Sequence, residues 1–262
     1  MKIGLVLGSG GVSGAAHIAV IEALEKNKIK PEVVCGSSIG AILGLVYCNG
    51  GVEGLNHFID HLEKNGYFRK GSNIFRLLRK NIFVVMKKYL QENILFKDLG
   101  DLPTKLLVVT TNLITGERKI ISRGDPIHAV LASASIPGFF KPKNIDGQFL
   151  IDGGVSGSLP VFALENDCDY IIGSLLNPMK DRKKIVSDRK RLSRLAVFTR
   201  SIEIMQKTIS AYESEKCNFC FYLPSNPYRW YEVNKLDLII DNARKEIEKQ
   251  IKGLLADLGK KQ

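Results

Sequence analysis

The chain has 262 residues, 45% of them hydrophobic, and carries 38 Lys and Arg against 27 Asp and Glu, a formal net charge of +11. That length holds one large domain or two small ones, and that composition excludes a disordered chain. The charge suits a polyanionic partner (nucleic acid, an anionic membrane surface or an acidic substrate) and equally suits a Lys-rich solvated surface.

The first 48 residues read as strand, turn and helix, twice over. Residues 2–7 are a short apolar run behind a single Lys, a buried strand rather than a signal peptide. Residues 8–14 are glycine-rich. Residues 15–26 carry Ile18, Ile21 and Leu24 at helical spacing. Pro31 precedes a second strand over 33–35, and residues 39–48 are small and apolar, a helix buried on most sides. This alternation predicts an α/β class with a mainly parallel sheet. Residues 52–91 read as helical. From Asn65 to Gln91 there is no acid, while Arg69, Lys70, Arg76, Arg79, Lys80, Lys87 and Lys88 alternate with apolar side chains. The segment 64–97 is therefore either a helix pair covering the sheet or a basic cap that lies on anionic lipid.

Strands are expected over 105–111 and 118–122, joined by the turn Thr115-Gly116-Glu117, with a short helix over 125–134 that has Pro126 near its start. Asp146-Gly147 suits a type I′ hairpin turn before a strand over 148–151. A strand follows over 170–175, then a basic loop entering a helix over 180–200. An amphipathic helix closes the chain over 233–258. No apolar run approaches the ~18 residues of a membrane span. Five cysteines (Cys35, Cys48, Cys168, Cys217 and Cys220) show no disulfide-framework spacing, so a reduced, cytoplasmic setting is expected. Cys217 and Cys220 lie in an apolar segment that reads as a buried strand, and no second pair completes a metal site. With no repeat or linker, residues 1–262 are expected to form one domain.

The chemistry concentrates in three segments. Gly36-x-Ser38-x-Gly40 follows a strand and precedes a helix, the setting in which a tight turn holds a serine hydroxyl out of the chain. The glycine loop, Gly8 to Gly14, has two readings. A dinucleotide loop expects an acid at the end of the second strand, and Cys35-Gly36-Ser37-Ser38 supplies none. Alternatively, if the first two strands are neighbours, the amides of Gly10, Gly11 and Val12 face Ser38 as an oxyanion hole, where each donor is worth about 3 kcal/mol of barrier. Of the four histidines, His17, His57, His61 and His128, none follows Asp152. Only His128 fits the order serine, acid, histidine, with Asp98, Asp101 or Asp125 as the acid, and His17 reads as a packing or hydrogen-bonding residue. Asp152 ends a strand and is followed by Gly153-Gly154, so its carboxylate is either a base for the serine or part of a plain turn.

Together these segments resemble the patatin-like phospholipases, and specifically their bacterial members. The glycine loop running into residues 15–24 resembles the family's opening block, and residues 36–40 its nucleophile elbow. Residues 132–142 resemble a further signature, and Asp152-Gly153-Gly154 its Asp-Gly-Gly motif. Order and spacing agree across residues 3–161. The resemblance implies a three-layer α/β/α sandwich with a mainly parallel central sheet. It also implies a Ser38–Asp152 dyad, an oxyanion hole from the Gly10, Gly11 and Val12 amides, and structural glycines at Gly36, Gly40, Gly153 and Gly154. No metal and no other cofactor is expected. The implied substrates are phospholipids, lysophospholipids or other acyl esters, with peripheral contact to anionic membrane and no nucleic acid partner. Three positions depart from the family pattern. Ser9 replaces the first glycine of the loop, Ser13 its basic residue, and Ser158 a frequent Asn. The altered loop and the basic stretch 69–88 motivate a rival reading, a catalytically weak or inactive lipid-binding protein of the same fold. A third reading is a nucleotide-binding module.

Overall fold

The computed structural model describes residues 1–64, 82–176, 194–224 and 235–260. Much of the basic segment 64–97, and most of the basic stretch 180–200, lie outside the described residues. Strand β1 (Ile3–Leu7) leads through a 3-10 turn (Gly11–Ala16) into α1 (His17–Lys26). Strand β2 (Val33–Ser37) leads into α2 (Ile39–Lys64), which leaves helical geometry at Gly50 and Gly51. The sequence had ended one helix at 48 and begun another at 52, the two sides of that break. After α3 (Ile82–Asn93) come β3 (Lys105–Asn112), β4 (Arg118–Ile121) and α4 (Pro126–Ser133). The chain continues through β5 (Lys143–Ile145), β6 (Gln148–Asp152), β7 (Tyr170–Leu176), α5 (Arg194–Ser214), β8 (Phe219–Leu223) and α6 (Leu236–Gly259).

The eight strands form one sheet in the order β5-β6-β3-β2-β1-β7-β8, with β4 also paired to β3. Strands β3, β2, β1, β7 and β8 run parallel, and β4, β5 and β6 are antiparallel additions at one end. The parallel strands are buried on both faces, as helical crossovers require. Leu5, Leu7, Val34, Leu106, Val108 and Ile172 face one core, which α1, α2 and α6 cover. Val6, Cys35, Leu107, Val109 and Ile171 face a smaller core, closed by Leu159, Val161 and Leu164 and flanked by α5. The three layers are thus unequal.

Two local expectations shift. The apolar run at 217–223 is a strand only from Phe219, and it pairs with β7 alone among the described strands. As an edge strand it alternates, with Phe221 and Leu223 buried and Tyr222 exposed. Helix α1 opens two residues late, at His17, because the chain first tightens into the 3-10 turn that starts at Gly11.

One feature of register positions the site. Strand β2 pairs with β3 through Ser37 opposite Val109, then turns away into α2. Strand β4 occupies the other edge of β3 over Val108–Thr111. Strand β6 pairs with β3 from Asn112 to Thr110, so it takes over the edge that β2 has just left. Asp152, opposite Thr110, therefore ends one residue step from where Ser38 begins.

Candidate active site

Ser38 follows the last residue of β2 with φ of 57°, a left-handed conformation that costs a non-glycine residue roughly 1–2 kcal/mol. Three contacts hold it there. Its amide donates to Ser133 Oγ at 2.9 Å, and that hydroxyl donates onward to the Val109 carbonyl at 2.6 Å. Its carbonyl accepts from the Ala41 and Ile42 amides, opening α2. Gly36 and Gly40 let the turn close. A Cβ at Gly40 would lie 2.2 Å from the Leu7 carbonyl oxygen of β1, and one at Gly36 would lie 2.5 Å from the Gly40 backbone.

The side chain of Ser38 is directed at Asp152. Ser38 Oγ donates to Asp152 Oδ2 at 2.6 Å, and both residues are buried. Asp152 Oδ1 accepts from the Gly154 amide at 2.7 Å. Its backbone is fixed as well, since its N–H donates to the Ser135 carbonyl and its carbonyl accepts from Thr111 Oγ1. Gly153 sits where a Cβ would lie 2.1 Å from the Val109 carbonyl oxygen, so β6 can end this close to β3 only with glycine there. Burial disfavours the carboxylate and pushes the Asp152 pKa up from 3.8 to about 6, against the lowering effect of the Ser38 and Gly154 hydrogen bonds. The result is a carboxylate that is ionised at neutral pH yet basic enough to accept a proton.

His17 has a different task. It is buried, with Nε2 2.8 Å from the Gly8 carbonyl oxygen and Nδ1 2.7 Å from Ser174 Oγ. A carbonyl only accepts, so Nε2 carries the proton and Nδ1 accepts from Ser174. Burial lowers its pKa to about 4 and keeps it neutral. It pins the start of the glycine loop to β7, as a hydrogen-bonding residue. None of the four histidines lines the space around Ser38.

Two cavities meet at Ser38, sharing Gly11, Ser38 and Ile136 in their walls. The first, about 1050 Å³ counting its open mouth, also contains Asp152 and Gly10, and is roofed by the Thr199, Gln206 and Lys207 side of α5. The second, about 640 Å³ counting its open mouth, runs between Val12, α2 and α3. Gly10, Gly11 and Val12 therefore all border space that Ser38 also borders. They open a helical turn, where the first amides have no intrahelical acceptor.

The sequence does not single out Ser133, Ser135 and Thr111, although the two serines lie within residues 132–142. A serine closing a largely apolar helix was the available signal for Ser133. Nor does the sequence mark a contact between two of the departures from the family pattern. Ser9 Oγ and Ser158 Oγ lie 2.7 Å apart and buried, and the Ser9 amide donates to the Ser158 carbonyl at 2.8 Å. A second buried carboxylate, Glu213, accepts from the Leu159 amide at 3.0 Å and lies 3.3 Å from the Arg118 guanidinium. Burial outweighs both and raises its pKa to about 7. Arg118 also donates to the Ser156 carbonyl and covers the Phe162 ring, so it joins the end of α5 to the loop after Asp152.

Comparison with known proteins agrees with this architecture. The family model described as patatin-like phospholipase matches residues 5–164. An uncharacterized NTE family protein of Mycobacterium bovis is 32% identical over 187 residues, which are 67% of this chain and 49% of that protein. Lysophospholipase NTE1 of Saccharomyces cerevisiae is 30% identical over 189 residues, 69% of this chain and 11% of that protein. The chain thus spans about half the length, or less, of these curated relatives. The crystal structure of VipD from Legionella pneumophila shares the fold, with a TM-score of 0.53 over 95% of this chain and 67% of VipD at 14% identity. On the strength of the family match over residues 5–164, the chain belongs to the patatin-like phospholipase family.

Proposed function

We propose that this chain is a serine acyl-ester hydrolase acting on lipids, of phospholipase A or lysophospholipase type, through a Ser38–Asp152 dyad in a single domain. The observation that carries the reading is the 2.6 Å bond from Ser38 Oγ to a buried Asp152 whose pKa is raised to about 6. Asp152 takes the serine proton as Ser38 Oγ attacks the ester carbonyl carbon. The carbonyl oxygen becomes an oxyanion held by the amides of Gly10, Gly11 and Val12. Collapse of the tetrahedral adduct breaks the bond to the leaving alkoxide, and the proton on Asp152 passes to it. Water, deprotonated by Asp152, then attacks the acyl-serine and releases the fatty acid and the free serine. Asp152 is ready for both proton transfers because its basicity comes from burial and no third residue has to activate it.

Phospholipids, lysophospholipids or related acyl esters are the proposed substrates, on the strength of the family and of the named activity of the yeast relative. Contact with an anionic membrane is supported by the net charge of +11 and by α5. That helix lines the cavity on one side and exposes Val197, Ile204 and Met205 on another. The test is hydrolysis of a lysophospholipid and of a p-nitrophenyl acyl ester by wild type, Ser38→Ala and Asp152→Ala, with circular dichroism to verify the fold. Each variant is expected to lose at least 1000-fold in kcat. Full activity of Ser38→Ala would refute the assignment. A wild type that folds but cleaves neither ester would favour a lipid-binding role for the same fold.

A further inference from the structure

The proposed reaction gives Ser38 a tetrahedral carbon with two bulky substituents, an acyl chain and a leaving group. Two cavities open from Ser38, and their chemistry differs. Resting on the hydrolase reading, we infer that the cavity between α2 and α3 holds the acyl chain, that Phe58, Leu62 and Met86 set the chain length accepted, and that the leaving half occupies the cavity beneath α5.

The walls argue for this division. Among the described residues, the α2–α3 cavity is lined by Ile42, Phe58, Leu62, Met86, Ile136 and Phe140 and other apolar side chains, with Ser38 the one hydroxyl. A glycerol or phosphate group placed there would give up water and find no hydrogen-bonding side chain beyond the nucleophile. An alkyl chain gives up only unfavourable hydration. Ile42 lies one helical turn past Ser38, about 6 Å along α2, and meets the first carbons of the chain. Phe58 and Leu62, from the second half of α2, and Met86, from α3, complete the wall. Met86 is unbranched and adapts to chains of different shape. The α5 cavity is mixed, with Pro137, Phe139, Leu176 and Ile202 in its wall beside polar side chains. Thr199, Glu203, Gln206, Lys207 and Ser210 present donors and acceptors to it. Ser13, which stands where the family pattern has a basic residue, lines the same cavity as Lys207, so a cation is still present on that side.

The test starts from the Ser38→Ala protein, which binds without turnover. Palmitate binding is measured by calorimetry on that protein and on the same protein carrying Leu62→Trp, Met86→Trp or Ile202→Trp, the last from the α5 cavity. Leu62→Trp and Met86→Trp are expected to weaken binding at least tenfold, and each more than Ile202→Trp does. In the Ser38 enzyme, the same two changes are expected to lower the palmitoyl-to-butyryl ratio of kcat/KM for p-nitrophenyl esters at least tenfold. Palmitate bearing a terminal diazirine, photolysed on Ser38→Ala, is expected to label the 58–62 and 86 region, and this readout needs no cavity variant to fold. Label on α5, a larger effect of Ile202→Trp, or no palmitate binding at all would overturn the inference. If the binding and labelling pattern holds while wild type cleaves no ester, the hydrolase reading fails and the acyl cavity stands.

Discussion

Under the proposed mechanism, Asp152 links stability to catalysis at the scale of one side chain. Its folded pKa is raised from 3.8 to about 6 by burial, so its contribution to stability is fully present below pH 4 and is lost as pH rises through 6. Above pH 6 the buried charge therefore costs about 3 kcal/mol, at 1.36 kcal/mol per unit. Asp152→Asn removes the charge and keeps an acceptor for the Gly154 amide. It is expected to raise the melting temperature at pH 8, to gain little at pH 4, and to abolish hydrolysis. A lower melting temperature at pH 8 would contradict this. By the same titration, wild-type hydrolysis is expected to fall as pH drops through about 6, as the base becomes protonated. Ser38 stood out in the sequence from its turn pattern, whereas Asp152 by itself left a plain turn open and was joined to Ser38 only through the resemblance to the family. The partnership of Ser9 and Ser158 was not legible. They are 149 positions apart, and each reads as an isolated departure until β1 and the loop after β6 are brought together.

The turn from β2 into α2 is the element on which the site depends. Its tolerance is set by backbone on both sides. Gly40→Ala would drive a Cβ to 2.2 Å from the Leu7 carbonyl oxygen, and Leu7 cannot move without disturbing its pairing with Gly36. We expect a loss above about 3 kcal/mol in urea unfolding, or failure to fold. Gly116→Ala, in the turn between β3 and β4, is the contrast. Its φ is 76° but nothing lies within 4 Å of the added Cβ, so about 1 kcal/mol is expected. Equal losses at the two positions would mean that close approach is not what the elbow glycines serve. Strands and the Asp146-Gly147 hairpin were legible from periodicity and turn chemistry, to within a residue or two, while helix ends were less so: the closing helix expected from 233 opens at Leu236, and the one expected within 180–200 runs on to Ser214. The takeover of the β3 edge by β6 was not legible, because pairing partners depend on where β2 leaves the sheet, and that is a tertiary fact. Helix α5 was legible only as the end of a basic stretch, since residues such as Gln206 and Lys207 carry no pattern that marks them as cavity walls.

Across the whole molecule, the unequal layers leave the site under α5 while α1, α2 and α6 bury the larger core. The outward side of α5 exposes Ile204 and Met205 at 46% and 55%, beside the cavity that contains Ser38. With a net charge of +11, the chain is expected to co-sediment with phosphatidylserine vesicles and less so at high salt. Ile204→Asp with Met205→Asp is expected to weaken that binding at least fivefold, and undiminished binding would exclude contact through α5. Among the described residues, no helix is long and apolar enough to cross a membrane. The central claim remains chemical, that Asp152 makes the Ser38 hydroxyl a nucleophile. It is tested most directly by treating the protein with a fluorophosphonate and locating the adduct by mass spectrometry. The account predicts a single phosphonylated serine at Ser38, with labelling slowed at least 100-fold in Asp152→Asn and absent in Ser38→Ala. Adduct on another residue, or undiminished labelling of Asp152→Asn, would contradict it.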